Sequence, residues 1–454
     1  MRRLLHLFTI LLCTIVPAAA AHAEWREATT EHFIIVSGGS EAQLVRMAQR
    51  LEAVHWLMTQ ATGNPASENG AKVRIYLVDS IADVHAAMGA GSNSEVAGFY
   101  NTTNEGAIAV VPRDQSGFST TILFHEYAHH FMLQYMRATF PPWYVEGFAE
   151  VLSTASFRQE GKISYGEAAD HRAYELQEEP WVPVARMMAA RSSEDDRAGV
   201  ASYGQYWLAA HYFIFAQERR GQLSNYVNAI NQGIPPEEAA AAAFTGGMDQ
   251  LNADLRRYLR RNSFTYQLPP IPPAIMVQPA LRVMRPGEAA IIDLELQAAR
   301  PMPAADHLPL VRQASAMVAR FPDDPAVALL HARLLYYAEK HAEADQATDR
   351  VLALDPANVR ALTLKGQSML AARAASTQAF DADFLRLAQS YIIRANNADP
   401  DDQMPLIAYY ESFKIAGEPV PDIAIDGLMQ ATRLVPQEPS LRMTLAMELI
   451  ERRN

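Results

Sequence analysis

The residues of this chain whose types and spacing point most directly to chemistry lie between Ser119 and Glu150. They are His125-Glu126-x-x-His129 and, seventeen residues after His129, Glu146 in Trp143-Tyr-Val-Glu-Gly-Phe-Ala-Glu150. Two histidines four apart on a helix are separated by about 40° around its axis and one turn along it. Their imidazoles can therefore meet one ion, and the residue after the first histidine faces a water which that ion holds. Zinc lowers the pKa of such a water to about 7, so a neighbouring carboxylate can take its proton. Glu126 is placed to do so. A catalytic zinc site wants three protein ligands and an open position, and Glu146 offers the third, provided that the chain turns back.

The flanking sequence predicts such a turn. The first helix continues through Met132 to Met136, Pro141-Pro142 stop it, and Trp143 to Val151 can start a second helix facing the first. Ser119 is the expected cap of the histidine helix. Upstream, His32 to Val36 reads as a strand ended by Gly38-Gly39, and Glu41 to Thr62 has the apolar spacing of a helix. Lys72 to Val78 alternates like a strand, and Ser80 is positioned to cap a helix running to Met88. Two further strands are expected around the turn Asn101 to Gly106, and the whole reads as an α+β arrangement. From Glu150 to about Ser263 the pattern is almost wholly helical.

The order H-E-x-x-H, turn, W-x-x-E-G-x-A resembles the gluzincin metallopeptidases, and more closely the peptidase MA-like branch. The layout of residues 25–263 is similar to that zincin-like fold. The resemblance implies His125, His129 and Glu146 as ligands of Zn2+, Glu126 as the general base and hydrolysis of peptide bonds. Ser202-Tyr-Gly-Gln-Tyr-Trp207 is similar to the Tyr-x-Gln segment that follows in such proteins, and this implies Tyr203 as donor of a hydrogen bond to the oxyanion. Tyr206 and Tyr212 stand close enough to compete for that role. His130 reads as a supporting or surface residue, Glu150 as an acceptor for a ligand imidazole or a solvated helix residue, and Asp114 as a turn or capping residue. The other histidines show no ligand spacing. Two imidazoles and a carboxylate suit zinc, although nothing in the sequence forces it over cobalt or manganese.

The rest of the chain sets the surroundings. At 454 residues it is long enough for two or three domains, and a formal charge of -12 without long charged runs argues against a nucleic-acid partner. Arg2 and Arg3, an apolar run from Leu4 to Val16 and Ala21-His22-Ala23 predict a cleaved signal peptide over residues 1–23. The run is too short for a membrane span of about 20 residues, so the mature chain is expected to be periplasmic or secreted, with no integral span. Cleavage takes the formal charge from -12 to -14 and removes Cys13, the single cysteine, which excludes disulfides and thiol chemistry in the mature protein.

The predicted metallopeptidase domain covers residues 24–265, and Leu268-Pro-Pro-Ile-Pro-Pro273 opens a proline-rich connector over residues 266–305. Leu281 to Leu296, broken by Pro286-Gly287, reads as a strand pair. Residues 306–454 carry Asp324-Pro325, Asp355-Pro356, Asp399-Pro400 and Val435-Pro436, with proline spacings of 31, 44 and 36. This resembles the tetratricopeptide repeat, of about 34 residues, with an insertion near Ala371 to Asp383; the alternative is an unrelated helical bundle. An all-α solenoid of this kind would bind a peptide or protein substrate, or a protein partner. A rival reading makes the chain a non-catalytic scaffold with a structural zinc fold. Hydrolysis of a peptidoglycan cross-link would use the same site.

Overall fold

The computed structural model describes residues 24–66, 70–89, 96–113, 117–168, 170–189, 202–261, 266–268 and 270–452. The expected leader, residues 1–23, and Asp114 lie outside these residues.

The chain opens with β1 (Arg26–Thr29), β2 (Phe33–Ser37), α1 (Glu41–Thr62), β3 (Val73–Val78), α2 (Ile81–Met88), β4 (Phe99–Thr103) and β5 (Gly106–Pro112). Ser40 starts α1 with a reciprocal cap: its hydroxyl accepts the Gln43 N–H at 3.3 Å while Gln43 Oε1 accepts the Ser40 N–H at 3.2 Å. Ser80 caps α2 as its position predicts. With β9 (Ala280–Val283) from later in the chain, the strands form a six-stranded mixed sheet in the order β4-β5-β3-β2-β1-β9. β2, β3 and β5 run parallel, while β4 pairs antiparallel with β5 at one edge. The other edge, β9 (Ala280–Val283), pairs antiparallel with β1.

Because successive side chains on a strand point to opposite faces, the alternating residues divide into two cores. Phe33, Ile35, Ile75, Leu77, Ala109 and Val111 pack under Leu44, Leu51, Val54 and Leu57 of α1 and under α3 (Gly117–Tyr135). Val36, Tyr76, Val78 and Val110 face the opposite way and meet Val84 of α2 together with Met284, Ile292 and Leu296. The stretch 281–296, which reads in the sequence as a strand pair, is thus one strand followed by helices α11 (Pro286–Ala290) and α12 (Ile292–Ala298). Pro286 fixes the helical φ at the first position of α11, and the apolar side of α12 closes the second face of the sheet.

After α3 come α4 (Pro142–Ser153), α5 (Asp170–Glu178), α6 (Val184–Ala189), α7 (Tyr203–Phe215), α8 (Gln222–Asn231), α9 (Pro236–Ala243) and α10 (Gly247–Tyr258). This region is not purely helical. β6 (Ser156–Phe157) and β7 (Ile163–Tyr165) lie within it and make a small antiparallel sheet with β8 (Tyr266–Gln267), which stands just beyond it at the start of the expected connector.

The remainder is helical: α13 (Leu308–Arg320), α14 (Pro325–Tyr337), α15 (His341–Leu354), α16 (Val359–Ala374), α17 (Ala382–Ala398), α18 (Gln403–Ala416), α19 (Asp422–Leu434) and α20 (Pro439–Glu451). Consecutive helices pack in pairs, α14 with α15, α16 with α17 and α18 with α19. The Asp-Pro steps stand at the junctions between pairs, as the sequence spacing suggests. Asp324 caps α14 by accepting the Ala326 N–H at 3.0 Å, whereas Asp355 and Asp399 follow the last residues of α15 and α17. The wider proline spacing in the middle comes from the longer α16 and α17 and the loop joining them. Among the described residues no helix is long and apolar enough to cross a membrane.

Candidate metal centre

Helix α3 lies on the sheet through Leu123, Phe124, Tyr127, Ala128 and Phe131, all buried at helical spacing. His125, Glu126 and His129 occupy intervening positions and are only half-buried. The helix begins at Gly117, so Ser119 is its third residue, buried inside the first turn, and not its cap. It ends at Tyr135, and Pro142 takes the first position of α4, where a missing N–H costs nothing.

Two contacts fix the angle at which α4 returns. Trp143 is fully buried, with its ring 5.9 Å from that of Phe213 and 6.3 Å from that of Tyr226. Gly147 lies against the backbone of α7: a Cβ there would sit 2.4 Å from the Tyr206 carbonyl oxygen. Glycine after Glu146 therefore lets α4 and α7 cross closely, which helps to hold Glu146 opposite α3.

The result is a convergence of three donor atoms. His125 Nε2 and His129 Nε2 are 3.0 Å apart, and Glu146 Oε2 lies 3.5 Å from the first and 3.4 Å from the second. Ligands held tetrahedrally at about 2.0–2.1 Å from one zinc ion lie about 3.3 Å from each other, so the three separations fit such an ion. Among the described residues this is the one group of three histidine, cysteine or acidic side chains close enough to hold a metal. The electrostatics point the same way. Burial pushes the His125 imidazole down, but Glu146 and Glu150 outweigh it and raise its pKa to about 9. Burial pushes the Glu146 carboxyl up, and the two histidines reverse this, taking it to about 2. The site thus concentrates negative potential that favours a positive charge.

Behind the three donors runs a chain of polar contacts. His125 Nδ1 faces Glu150 Oε1 at 3.3 Å, which leaves Nε2 free to present its lone pair. Glu150 is buried and also accepts from Arg172 Nη2 at 2.9 Å. Arg172 donates through Nη1 to Glu175 Oε1 at 2.5 Å, and Glu175 Oε2 accepts the Gly204 N–H at 2.8 Å in the first turn of α7. The Arg172 guanidinium also lies 4.6 Å from the centre of the Tyr203 ring. Tyr203 is thereby joined to the residues behind the donor cluster and stays 40% exposed, while Tyr206 and Tyr212 are both buried, at 2% exposure.

His130 is buried, with Nδ1 paired to the Tyr100 hydroxyl at 2.7 Å and its ring stacked on Tyr127. Tyr100 belongs to β4; burial, and then the charge of Glu126, raise its phenol pKa. The edge strand therefore rests against the turn of α3 that carries Glu126 and His130. Histidines without ligand spacing have structural partners: His32 with Glu52 at 2.7 Å, His55 with the Tyr127 hydroxyl at 2.6 Å and His211 with the Tyr258 hydroxyl at 2.8 Å.

Arg172, Glu175 and Tyr100 were not visible in the sequence. They reach the site from other elements, and neither spacing nor composition marks them. A cavity of about 1300 Å³ lies elsewhere: it sits between the sheet and the C-terminal helices, lined by residues such as Arg74, Tyr76, Glu295 and Arg333 and by none of the three donors. No protein-family model matches the chain, and no curated protein matches it either.

Proposed function

We propose that the chain is a zinc-dependent metallopeptidase of the gluzincin type, with His125, His129 and Glu146 holding the metal. The observation that carries this reading is the convergence of their three donor atoms at 3.0–3.5 Å, with a supporting carboxylate behind His125. A bound zinc ion would supply Lewis acidity at the scissile carbonyl and acidify a water. Glu126, next to His125 on the same turn, would take a proton from the attacking water and return it to the leaving nitrogen. Tyr203, the exposed one of the three neighbouring tyrosines, would donate a hydrogen bond to the oxyanion. Its place over Arg172 supports an orientation toward the site.

β4 would supply the substrate platform. It is the edge of the six-stranded sheet, with no further strand paired to it among the described residues, and it lies beside the helix bearing Glu126. An extended peptide can add to such an edge through main-chain hydrogen bonds. The C-terminal helix pairs are read as tetratricopeptide-like, and the chain as acting outside the cytoplasm on protein or peptide substrates. Glu126→Gln is the direct test of the hydrolytic role. It should leave zinc content unchanged and lower kcat for peptide hydrolysis by about 10³-fold. Turnover equal to wild type would remove Glu126 as the base.

A further inference from the structure

The turn between β4 and β5 does not end in solvent. The carbonyl of Asn104 accepts from Gln403 Nε2 at 2.7 Å, and that of Glu105 accepts from Arg360 Nη2 at 3.2 Å. The Glu105 carboxylate accepts from Arg333 Nη2 at 2.7 Å and from the Tyr337 hydroxyl. These donors stand on α14, α16 and α18, the first helices of three successive pairs. One inner face of the helical array therefore engages a single turn, by one carboxylate and two main-chain oxygens.

The end of the array closes on the same region. The Gln437 carbonyl accepts from Thr102 Oγ1 of β4 at 3.5 Å. The Arg433 carbonyl accepts from Gln134 Nε2 at the end of α3 at 3.2 Å, and the Leu434 carbonyl accepts the Ala71 N–H at 3.0 Å. The hairpin held in this way carries Tyr100, three residues before Thr103, and the Tyr100 hydroxyl is 2.7 Å from His130 Nδ1 on α3.

We propose that the inner face of the helix pairs is a receptor for the chain's own β4–β5 turn, and that Glu105 is a positioning residue that fixes edge strand β4 beside Glu126 for substrate. The positioning half rests on the hydrolytic reading of the site. The part of that face formed by Arg333, Tyr337, Arg360 and Gln403, which would otherwise take an acidic turn or extended segment from an outside partner, takes this one in cis, beside the cavity that the same residues help to line. An edge strand is paired on one side only, so its far end depends on what holds the turn. Loss of that hold lets β4 fray from Thr103 toward Phe99, while the donors on α3 and α4 keep their packing. Substrate would then have to order the strand on binding, which raises KM and leaves the chemical step intact.

The test is hydrogen exchange on the full mature chain, comparing wild type with Glu105→Ala, Arg333→Ala and the milder Gln403→Ala, with zinc content and peptide kinetics measured alongside. The expected result is exchange about tenfold faster at residues 99–103 in the first two variants, with a smaller rise in the third. Exchange in α1 and α4 and the zinc content should stay as in wild type. KM should rise severalfold, about three to ten times, with kcat within about twofold. Glu105→Gln, which keeps an acceptor for Arg333, should restore part of the protection. Unchanged exchange at 99–103 in all variants would overturn the receptor, and so would a uniform rise throughout the chain. Local loosening with KM unchanged would overturn the positioning role. Because exchange is read without turnover, a wild type that hydrolyses no peptide would count against the proposed function, and the receptor would still stand or fall on its own data.

Discussion

At the residue scale, the three donors were legible because their chemistry demands a fixed spacing along a helix and a fixed type. His125 and His129 announce themselves, and Glu146 follows from the proline stop and the Glu-Gly pair after it. Arg172 was not legible, since it reaches Glu150 from α5 across the fold. It pairs with the carboxylate that faces His125 and, through Glu175, with the start of α7, so it braces both. Arg172→Met would leave the buried Glu150 with His125 alone and relax both the ligand and the Tyr203 turn. Zinc affinity, measured by competition with a chelator, should fall about 10- to 100-fold, the usual effect of losing a supporting partner. Affinity equal to wild type would mean that Glu150 holds His125 without help. Tyr203 is a different case. The sequence leaves three tyrosines in competition, and only burial separates them.

At the element scale, sequence and structure agree where a segment's own pattern decides its state. α1 runs from Glu41 to Thr62 as its apolar period predicts, and Ser80 caps α2. They part where a distant partner decides. Leu281 to Leu296, broken by Pro286-Gly287, reads as two strands, but only residues 280–283 find a strand to pair with, and the rest turns helical against the sheet. The crossing of α4 over α7 shows how a single atom can set an element's place. Gly147→Ala puts a Cβ 2.4 Å from the Tyr206 carbonyl oxygen, so the helices must separate. The expected cost is about 1–3 kcal/mol of stability, read as a lower Tm, together with weaker metal retention because Glu146 is the preceding residue. A Gly147→Ala protein that keeps both would show that the crossing tolerates the methyl group and that Glu146 does not depend on it.

At the scale of the whole molecule, the C-terminal helices and the sheet are joined by a half-buried polar contact that no local pattern could announce. Glu105 is one residue of an ordinary-looking turn. Burial pushes its carboxyl up, but Arg333, Arg360 and Tyr337 outweigh this and hold it below the ordinary 4.5. A carboxylate whose folded pKa is depressed contributes stability that is fully present above its unfolded value and is lost as pH falls through the folded one. Glu295 and Asp402 face the same arginines, and burial raises both, so they take up protons first and leave the arginines to Glu105. The contact between turn and helices should therefore persist as pH falls to about 4.5 and weaken only below it. Exchange at residues 99–103, followed from pH 6 to pH 3 with correction for the intrinsic rate, should show this onset, and Glu105→Gln should abolish it. An onset well above pH 5 would point to a different group.

If His125, His129 and Glu146 together hold one catalytic zinc ion, the metal content of the purified mature chain must show it, with wild type measured beside Glu146→Ala. About one zinc per chain is expected in the wild type, and in the variant a much weaker retention with the fold intact by circular dichroism. A wild type that takes up no zinc, even when it is added back, would contradict the metal centre and the peptidase reading with it.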